Sequence, residues 1–526
     1  MPASRPTTLA THGMIATPHY LATSAGLQVL EEGGSAMDAV ICANAVLTVI
    51  YPDQTAIGGD CFFMAFEADT GETHGFNGSG PAPQAADAQW LLDNGYTGMP
   101  SKGQFAVTVP GTIDAWLTGH RRFGRLEMPR LLSPAIALAR DGFPVSPRLA
   151  AVLANQRTLI DNWPGLRSLV YPGGSPPRSG STLRFPNLAA SLESIATNGR
   201  DAFYTGPIAE AIAGTIAELG GWLSLDDLAT YSGEWVTPIS TTYRDVTVST
   251  MPPNSQGITT LMGLRMAEHE DLGPTWGAHP HLHPLVEAAT RAYGVRDHRI
   301  TDPAFVDPEV EILLADDTID DLWADYDPGW AMSNPSHSQG DTVYLCAVDA
   351  DGNAVSQIQS LFGAFGSAVV AGNTGILLQN RGAGFSLNPD RVNVLEPGKR
   401  TMHTLMPSML FDGAVLRGPF GTQGGDAQAL VQTQLVSNMI DFGMEPQAAI
   451  EAPRWLFPAE PDGGLLMEKS FPEGSVQQMA ARGHRPTLID AWNTGAGHAQ
   501  AIMINHESGV LMGGADPRAD GSAAGF

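Results

Sequence analysis

Apolar and polar positions follow a helical rhythm early in the chain and a strand rhythm later. Tyr20–Glu31 has helical spacing, stops at Gly33-Gly34, and restarts at Ser35-Ala36-Met37-Asp38. The second stretch, Ala36–Ile50, is small and apolar around most of its circumference, which predicts a buried helix. Residues 61–67 and 72–76 read as two strands around the turn Ala68-Asp69-Thr70-Gly71. A mainly helical stretch spans 110–233, broken by a Pro/Gly/Ser-rich loop at 171–181. Residues 242–250 read as one strand and 282–297 as a helix. The segment 418–426 reads as a glycine-rich loop leading into a helix at 427–441. There is no internal repeat and no low-complexity tract.

The sharpest change of texture lies at 327–341. That run is aperiodic and crowded with Asp, Pro, Gly, Ser and Asn, which predicts an exposed linker open to cutting. Directly after it, 342–348 is an apolar, β-prone strand. The turn Asp349-Ala350-Asp351-Gly352-Asn353 follows, and then a second strand at 354–361. Thr342 therefore stands where a flexible arm meets a rigid sheet.

Composition narrows the partners. In 526 residues, 28 Lys+Arg face 55 Asp+Glu, a formal charge of −27, which argues against nucleic acid or an anionic membrane as partner. The hydrophobic fraction of 43% excludes disorder, and the length alone suggests three or four domain-sized units. Cys42, Cys61 and Cys346 stand apart among apolar or small residues, forming neither a disulfide framework nor a metal site. His279, His281 and His283 could bind metal by spacing, yet interleaved prolines and the lack of nearby Cys favour a loop or the start of a helix. No signal peptide or membrane span is visible, and a cytoplasmic location is expected.

Several short motifs occur in a familiar order. They are 33–39, Ile57-Gly58-Gly59, Val109-Pro110-Gly111-Thr112, Ala139-Arg140-Asp141-Gly142, Met251-Pro252-Pro253, 349–354, Gly424-Gly425 and Ala515-Asp516-Pro517-Arg518. Together they resemble the γ-glutamyltranspeptidase family over nearly the whole chain. The resemblance implies an α+β fold, the four-layer αββα sandwich of N-terminal nucleophile hydrolases. It also implies a precursor that cuts itself into a large subunit, 1–341, and a small one, 342–526, which stay intertwined. Thr342 resembles the family's nucleophile, and a threonine freed at its N-terminus carries its own base, the α-amine. Ser360 matches the second hydroxyl that steadies the nucleophile. Gly424 and Gly425 match the pair whose N–H groups form an oxyanion hole.

Departures from the family pattern redirect the expected substrate. Asn77 stands where the transpeptidases keep an arginine for the α-carboxylate of the donor, and Gly384 where they keep an acid for its amine. His403 and Thr404 replace two adjacent serines, and Phe362 replaces an asparagine. A zwitterionic γ-glutamyl head thus lacks its partners. Arg381, with His403, Thr404 and Asn77, instead suits an acyl group bearing a carboxylate and no amine, and Ser79 can line the same pocket beside Asn77. A structural role for Arg381, as partner of a buried acid, is the competing reading. The surrounding motifs resemble the family's oxamate amidohydrolase and glutaryl-type cephalosporin acylase branch. The expectation is hydrolysis of a small acidic amide, oxamate first, with no metal and no organic cofactor. The alternatives are a glutaryl-type acylase, a γ-glutamyl hydrolase or transferase, and an uncut ligand-binding relative. The sequence neither fixes nor excludes a homo-oligomer.

Overall fold

The computed structural model of the chain describes residues 4–332, 335, 340–459 and 464–526. Two seven-stranded sheets lie face to face. The first orders Ser522–Gly525, Met14–Thr17, Asp341–Val348, Ala354–Phe362, Asp60–Glu67, Glu72–Gly78 and Glu234–Val236. The second orders Thr8–Ala10, Val510–Ala515, Ala499–Asn505, Val415–Thr422, Ser408–Asp412, Val246–Thr250 and Ile239–Tyr243. Every pairing within these two sheets is antiparallel.

Alternation along the central strands creates the layers, because successive side chains leave a strand on opposite faces. Val343, Leu345 and Ala347 join a core with the helices Tyr20–Glu31 and Ala36–Ile50. Tyr344, Cys346 and Val348 face the other way, meeting Met409, Phe411 and Ile502 of the second sheet. Beyond that sheet, Leu410 and Phe420 pack with the helices Gly257–Ala267, His279–Arg299 and Gln428–Ile440. The result is the αββα sandwich that the sequence motifs implied. The domain-sized units suggested by length do not exist as separate bodies, since each sheet draws strands from both ends of the chain.

The ordered motifs turn out to be joints between layers. Ser35 and Asp38 form a reciprocal cap on Ala36–Ile50, all of whose residues are buried. The Ala36 N–H donates to Asp349, whose other oxygen accepts from the Asp351 and Asn353 N–H groups. One carboxylate therefore ties the central hairpin turn to a helix start. Gly59 lies against the next strand so closely that a Cβ there would stand 2.3 Å from the Ser360 carbonyl oxygen. The Gly59 carbonyl accepts from Gly111 and Thr112, joining two more motifs.

Some elements depart from the sequence reading. Residues 242–250 form two strands of a hairpin, turning at Arg244 with φ 52°. The strand Val415–Thr422 takes up most of the predicted glycine-rich loop, because Gly418 and Gly421 allow close approach to Ile502 and Tyr344. The helix at 282–297 begins earlier, at His279, with Pro280 in its first turn. Of the predicted linker, 327–332 has no helix or strand, while 333–334 and 336–339 lie outside the described residues. All three cysteines are free and buried, with their thiols pushed up by burial. Among the described residues, no helix is long and apolar enough to cross a membrane.

The C-terminal motif closes a buried ion network. Arg518 donates to both oxygens of Glu468 and to Asp516, and Arg454 donates to Asp516 at 2.6 Å. Arg454 also holds the Ala496 and Gly497 carbonyls, beside the loop that carries Gln423 and Gly424. Replacing Arg518 by Met leaves Glu468 and Asp516 short of donors in the interior, a loss of about 3–5 kcal/mol. Thermal unfolding of Arg518→Met should show a markedly lower midpoint; an unchanged midpoint would contradict this account of the motif.

Candidate active site

Thr342 sits at the start of the central hairpin, directly opposite Ser360, with a bulge between Asp341 and Thr342. Its side chain is buried, and its hydroxyl donates to Ser360 Oγ at 3.0 Å. Ser360 donates in turn to the Asp341 carbonyl oxygen at 2.7 Å and accepts from the Phe362 N–H at 2.7 Å. One hydroxyl thus links the Thr342 side chain to the carbonyl of the preceding peptide bond. With its carboxamide oriented to satisfy its neighbours, Gln54 donates to the Thr342 carbonyl at 3.0 Å and accepts from Arg148. Arg148 is anchored on Asp53 at 2.7 Å.

The Gly424-Gly425 pair faces this point. Both residues have positive φ, 141° and 56°, which glycine adopts without strain. A Cβ on Gly340 would stand 2.8 Å from the Gly425 Cα, so residue 340 lies directly on this turn. Neither glycine N–H meets a hydrogen-bond acceptor among the described residues. Gln256 holds the turn from behind, donating to the Gly425, Asp426 and Thr404 carbonyls while accepting from Arg296.

Arg381, His403 and Thr404 form a second wall. Arg381 lies over the Phe362 ring, 4.1 Å from its centroid, and donates to Thr404 Oγ1 at 3.3 Å. Phe362 holds φ 77°, an uncommon conformation for a bulky residue and a form of strain found at functional sites. Both Nε and Nη2 of Arg381 are buried without a hydrogen-bond partner among the described residues. These two atoms make one edge of the guanidinium, the shape that grips a carboxylate bidentately.

Asp60 is the acid behind this wall, and motif reading missed it. Its oxygens accept from Gln379 at 2.9 Å and the Gly80 N–H at 3.2 Å, and meet His403 Nε2 at 2.9 Å. His403 Nδ1 accepts from the Leu405 N–H, so the ring proton belongs on Nε2 and points at Asp60. Arg381 Nε lies 3.9 Å from Asp60, an ion pair without a hydrogen bond. Burial pushes the Asp60 carboxyl up to about 7, against the pull of Arg381. Burial, then the Arg381 charge, holds His403 neutral by lowering it well below the usual range. Burial also lowers Arg381 to about 10, which leaves it cationic at neutral pH.

Asn77 and Ser79 play a different part. The Asn77 side-chain oxygen accepts from both the Ser79 N–H and hydroxyl, and its amide donates to Asn254 at 2.8 Å. Asn254 donates onward to the Thr401 carbonyl at 2.8 Å, two residues before His403. The pair therefore braces the wall, with one Asn77 amide hydrogen left over. Asn254, Gln256 and Gln379 were invisible as motifs because each is a single amide positioned only by folding.

The three histidines open the helix His279–Arg299, as the interleaved prolines suggested, and take different partners. His279 meets Gln478, and His281 Nδ1 accepts from the Gly277 N–H. His283 comes together with Glu287 and His484, a set of donor atoms within 4.8 Å. Its Nδ1 stands 2.6 Å from His484 Nε2, a hydrogen-bond distance and closer than the about 3.3 Å expected of two ligands on one zinc. Glu287 is occupied by Arg291 and the Met332 N–H, so the cluster clamps the segment at 327–332.

The relatives agree with this architecture. The gamma-glutamyltranspeptidase family model matches residues 22–526. The chain is 40% identical to the glutathione hydrolase-like YwrD proenzyme of Bacillus subtilis, covering 98% of this chain and 99% of the relative. It is 36% identical to the oxamate amidohydrolase proenzyme of Klebsiella pneumoniae, again covering 98% and 99%. Among solved structures, a cephalosporin acylase from Bacillus halodurans superposes with a TM-score of 0.95 at 36% identity, covering 100% of this chain and 98% of that one. A sandwich of this topology and relatives of this extent make the chain a hydrolytic enzyme of the γ-glutamyltranspeptidase family, with the N-terminal nucleophile hydrolase fold.

Proposed function

We propose that the chain cuts itself between Asp341 and Thr342, and that the freed Thr342 then hydrolyses a small amide carrying a carboxylate on its acyl side. Oxamate, giving oxalate and ammonia, is the preferred substrate. The observation that carries the reading is the relay from the Thr342 hydroxyl through Ser360 to the Asp341 carbonyl, combined with the unpartnered edge of Arg381.

In the uncut chain, Thr342 Oγ1 attacks the Asp341 carbonyl carbon while its proton passes to Ser360, which protonates the carbonyl oxygen. Collapse breaks the C–N bond, and the Thr342 nitrogen takes up the proton as the free amine. The resulting ester is hydrolysed by water, leaving a carboxylate on Asp341 and restoring the Thr342 hydroxyl. The products are the subunits 1–341 and 342–526.

The mature site repeats the chemistry on an external amide. The Thr342 α-amine accepts the hydroxyl proton, Oγ1 forms an ester with the acyl carbon, and the same amine gives the proton to departing ammonia. The N–H groups of Gly424 and Gly425 stabilise the tetrahedral oxygen. Arg381, supported by Thr404 and His403, binds the acyl carboxylate, while Asn77 and Ser79 brace the wall and Phe362 floors it. Deacylation by water completes the cycle without metal or organic cofactor. Thr342→Ala should remain a single chain with no amidase activity; an active or processed variant would overturn the mechanism.

The solved acylase favours a second reading, in which the acyl group is a longer diacid such as glutaryl. A γ-glutamyl donor fits less well, because Gly384 offers no carboxylate to its amine and Asn77 no positive charge to its carboxylate.

Arg381→Met separates binding from scaffolding. Asp60 keeps Gln379, Gly80 and His403 as donors, so thermal stability should change little. A charge-assisted contact contributes about 1.5–3 kcal/mol, so kcat/KM for oxamate should fall roughly 10- to 150-fold. Hydrolysis of acetamide, which has no carboxylate, should be unaffected. Equal losses on both amides, or a collapse in stability, would assign Arg381 a structural role instead. The pH profile supplies another test. An α-amine acting as base must be neutral, so kcat/KM should rise with pH through an apparent pKa at or below about 7.7–8.0. A rate that falls over that range would contradict the amine as base.

A further inference from the structure

Cutting between Asp341 and Thr342 turns Thr342 from a mid-chain residue into a chain end. The peptide bond to Asp341 is lost, and with it the tie that runs through the Asp341 carbonyl to Ser360. The freed residue must still hold its hydroxyl and α-amine in one pose, although chain ends are where a strand frays first. On one flank, the strand Asp341–Val348 has the second arm of the hairpin, where the Thr342 hydroxyl donates to Ser360. On the other flank, Met14–Thr17 pairs only with 346–348, so among the described residues no strand covers 342–345 on that side.

Gln54 gives Thr342 a second anchor. It lies in the turn after the helix Ala36–Ile50 and is buried. Its backbone is fixed at both ends. The N–H donates to the Tyr51 carbonyl at 3.0 Å, and the carbonyl accepts from the Leu361 N–H at 3.1 Å. The Asp53 carbonyl accepts from the Phe365 N–H at 2.9 Å, so the turn is joined to the second hairpin strand and to the loop beyond it. From that base the Gln54 carboxamide donates to the Thr342 carbonyl at 3.0 Å. Gln54 thus spans the mouth of the hairpin, with its main chain on Leu361 and its side chain on Thr342.

Arg148 decides which way the carboxamide faces. A primary amide has a donor end and an acceptor end. Arg148 donates to the Gln54 side-chain oxygen, which leaves the nitrogen for the Thr342 carbonyl. The arginine is itself immobilised by Asp53 at 2.7 Å and by the Tyr51 ring, whose centroid lies 4.4 Å from the guanidinium. One short segment, 51–54, therefore holds the arginine and carries the amide that the arginine aims.

We propose that Gln54 is the positioning residue of the mature nucleophile: aimed by Arg148, it clamps the Thr342 carbonyl and keeps the freed chain end in its reactive pose. This role rests on the self-cleavage proposed above and extends it to the cut enzyme. In the uncut chain, peptide bonds on both sides hold Thr342 and the clamp is redundant. After the cut, the Ser360 bond fixes the hydroxyl and the Gln54 bond fixes the carbonyl, so rotation at the end of the strand is blocked at two points. Gln54 touches neither the substrate nor the reacting atoms and acts through Thr342.

The test uses full-length chains with Gln54 replaced by Met or by Glu. Methionine matches its length and has no donor; a glutamate carboxylate still accepts from Arg148 but has no hydrogen for the Thr342 carbonyl. Both variants should cut within about threefold of the wild-type rate, read on a denaturing gel. In the cut protein, acetylation of the Thr342 α-amine by acetic anhydride, read by mass on the small subunit, should be roughly tenfold faster than in wild type. With oxamate, kcat and kcat/KM should fall together by roughly tenfold while KM stays within about twofold, the mark of a displaced reacting group and not of lost binding. Wild-type labelling and kcat in Gln54→Glu would show that Gln54 serves Arg148 alone and would overturn the clamp. So would wild-type labelling in Gln54→Met, or a Gln54→Met chain that stays uncut while the wild type cuts. A wild-type chain that never cuts would overturn the self-cleavage reading as well.

Discussion

Everything at the site depends on one cross-strand pair, Thr342 opposite Ser360, at the open end of the central hairpin. Both faces of that hairpin are buried, so a slip of one residue would turn Tyr344 and Cys346 toward the helices and Val343 and Leu345 toward the second sheet. Register is thereby pinned by two cores at once. The closed end is pinned as well, through Asp349 and the start of the helix Ala36–Ile50. Gly59 leaves room for the Ser360 carbonyl on the neighbouring strand. A hydroxyl placed this rigidly against a backbone carbonyl needs little reorganisation to react, which is how a weak nucleophile becomes useful.

Around that fixed point the charges are sorted by wall. Arg381 is pressed between the Phe362 ring and Asp60, with Thr404 its one hydrogen-bond partner among the described residues and one guanidinium edge without a hydrogen bond to them. Asp60 is itself held by Gln379, Gly80 and His403, so it restrains the arginine without capping it. In so dry a setting an ion contact is far stronger than at the surface, and an unpaired donor correspondingly expensive. A carboxylate at the Arg381 edge would satisfy both conditions.

Much of the architecture was legible in the residues. The buried helix at Ala36–Ile50, the strands flanking Asp349–Asn353 and the texture change before Thr342 follow from periodicity and turn chemistry alone. The family motifs carried the fold, and several of them mark joints between elements, as Asp349 does at the start of the helix Ala36–Ile50 and Gly59 does with Gly111 and Thr112. What escaped was set by tertiary contact. Asp60 reads as one acid in an apolar strand until folding brings Gln379 and His403 to it across more than three hundred residues. The partners of Asn77 were equally hidden, since Asn254 reaches it only in the folded chain. The glycines at 418 and 421 looked like loop formers, whereas in the sheet they serve close approach between strands.

The central claim is that Thr342 becomes an N-terminus. Intact mass spectrometry and N-terminal sequencing of the purified wild-type protein test it most directly. The account predicts two chains that copurify, one of them beginning at Thr342. A single uncut chain, or a new terminus at any other residue, would contradict it.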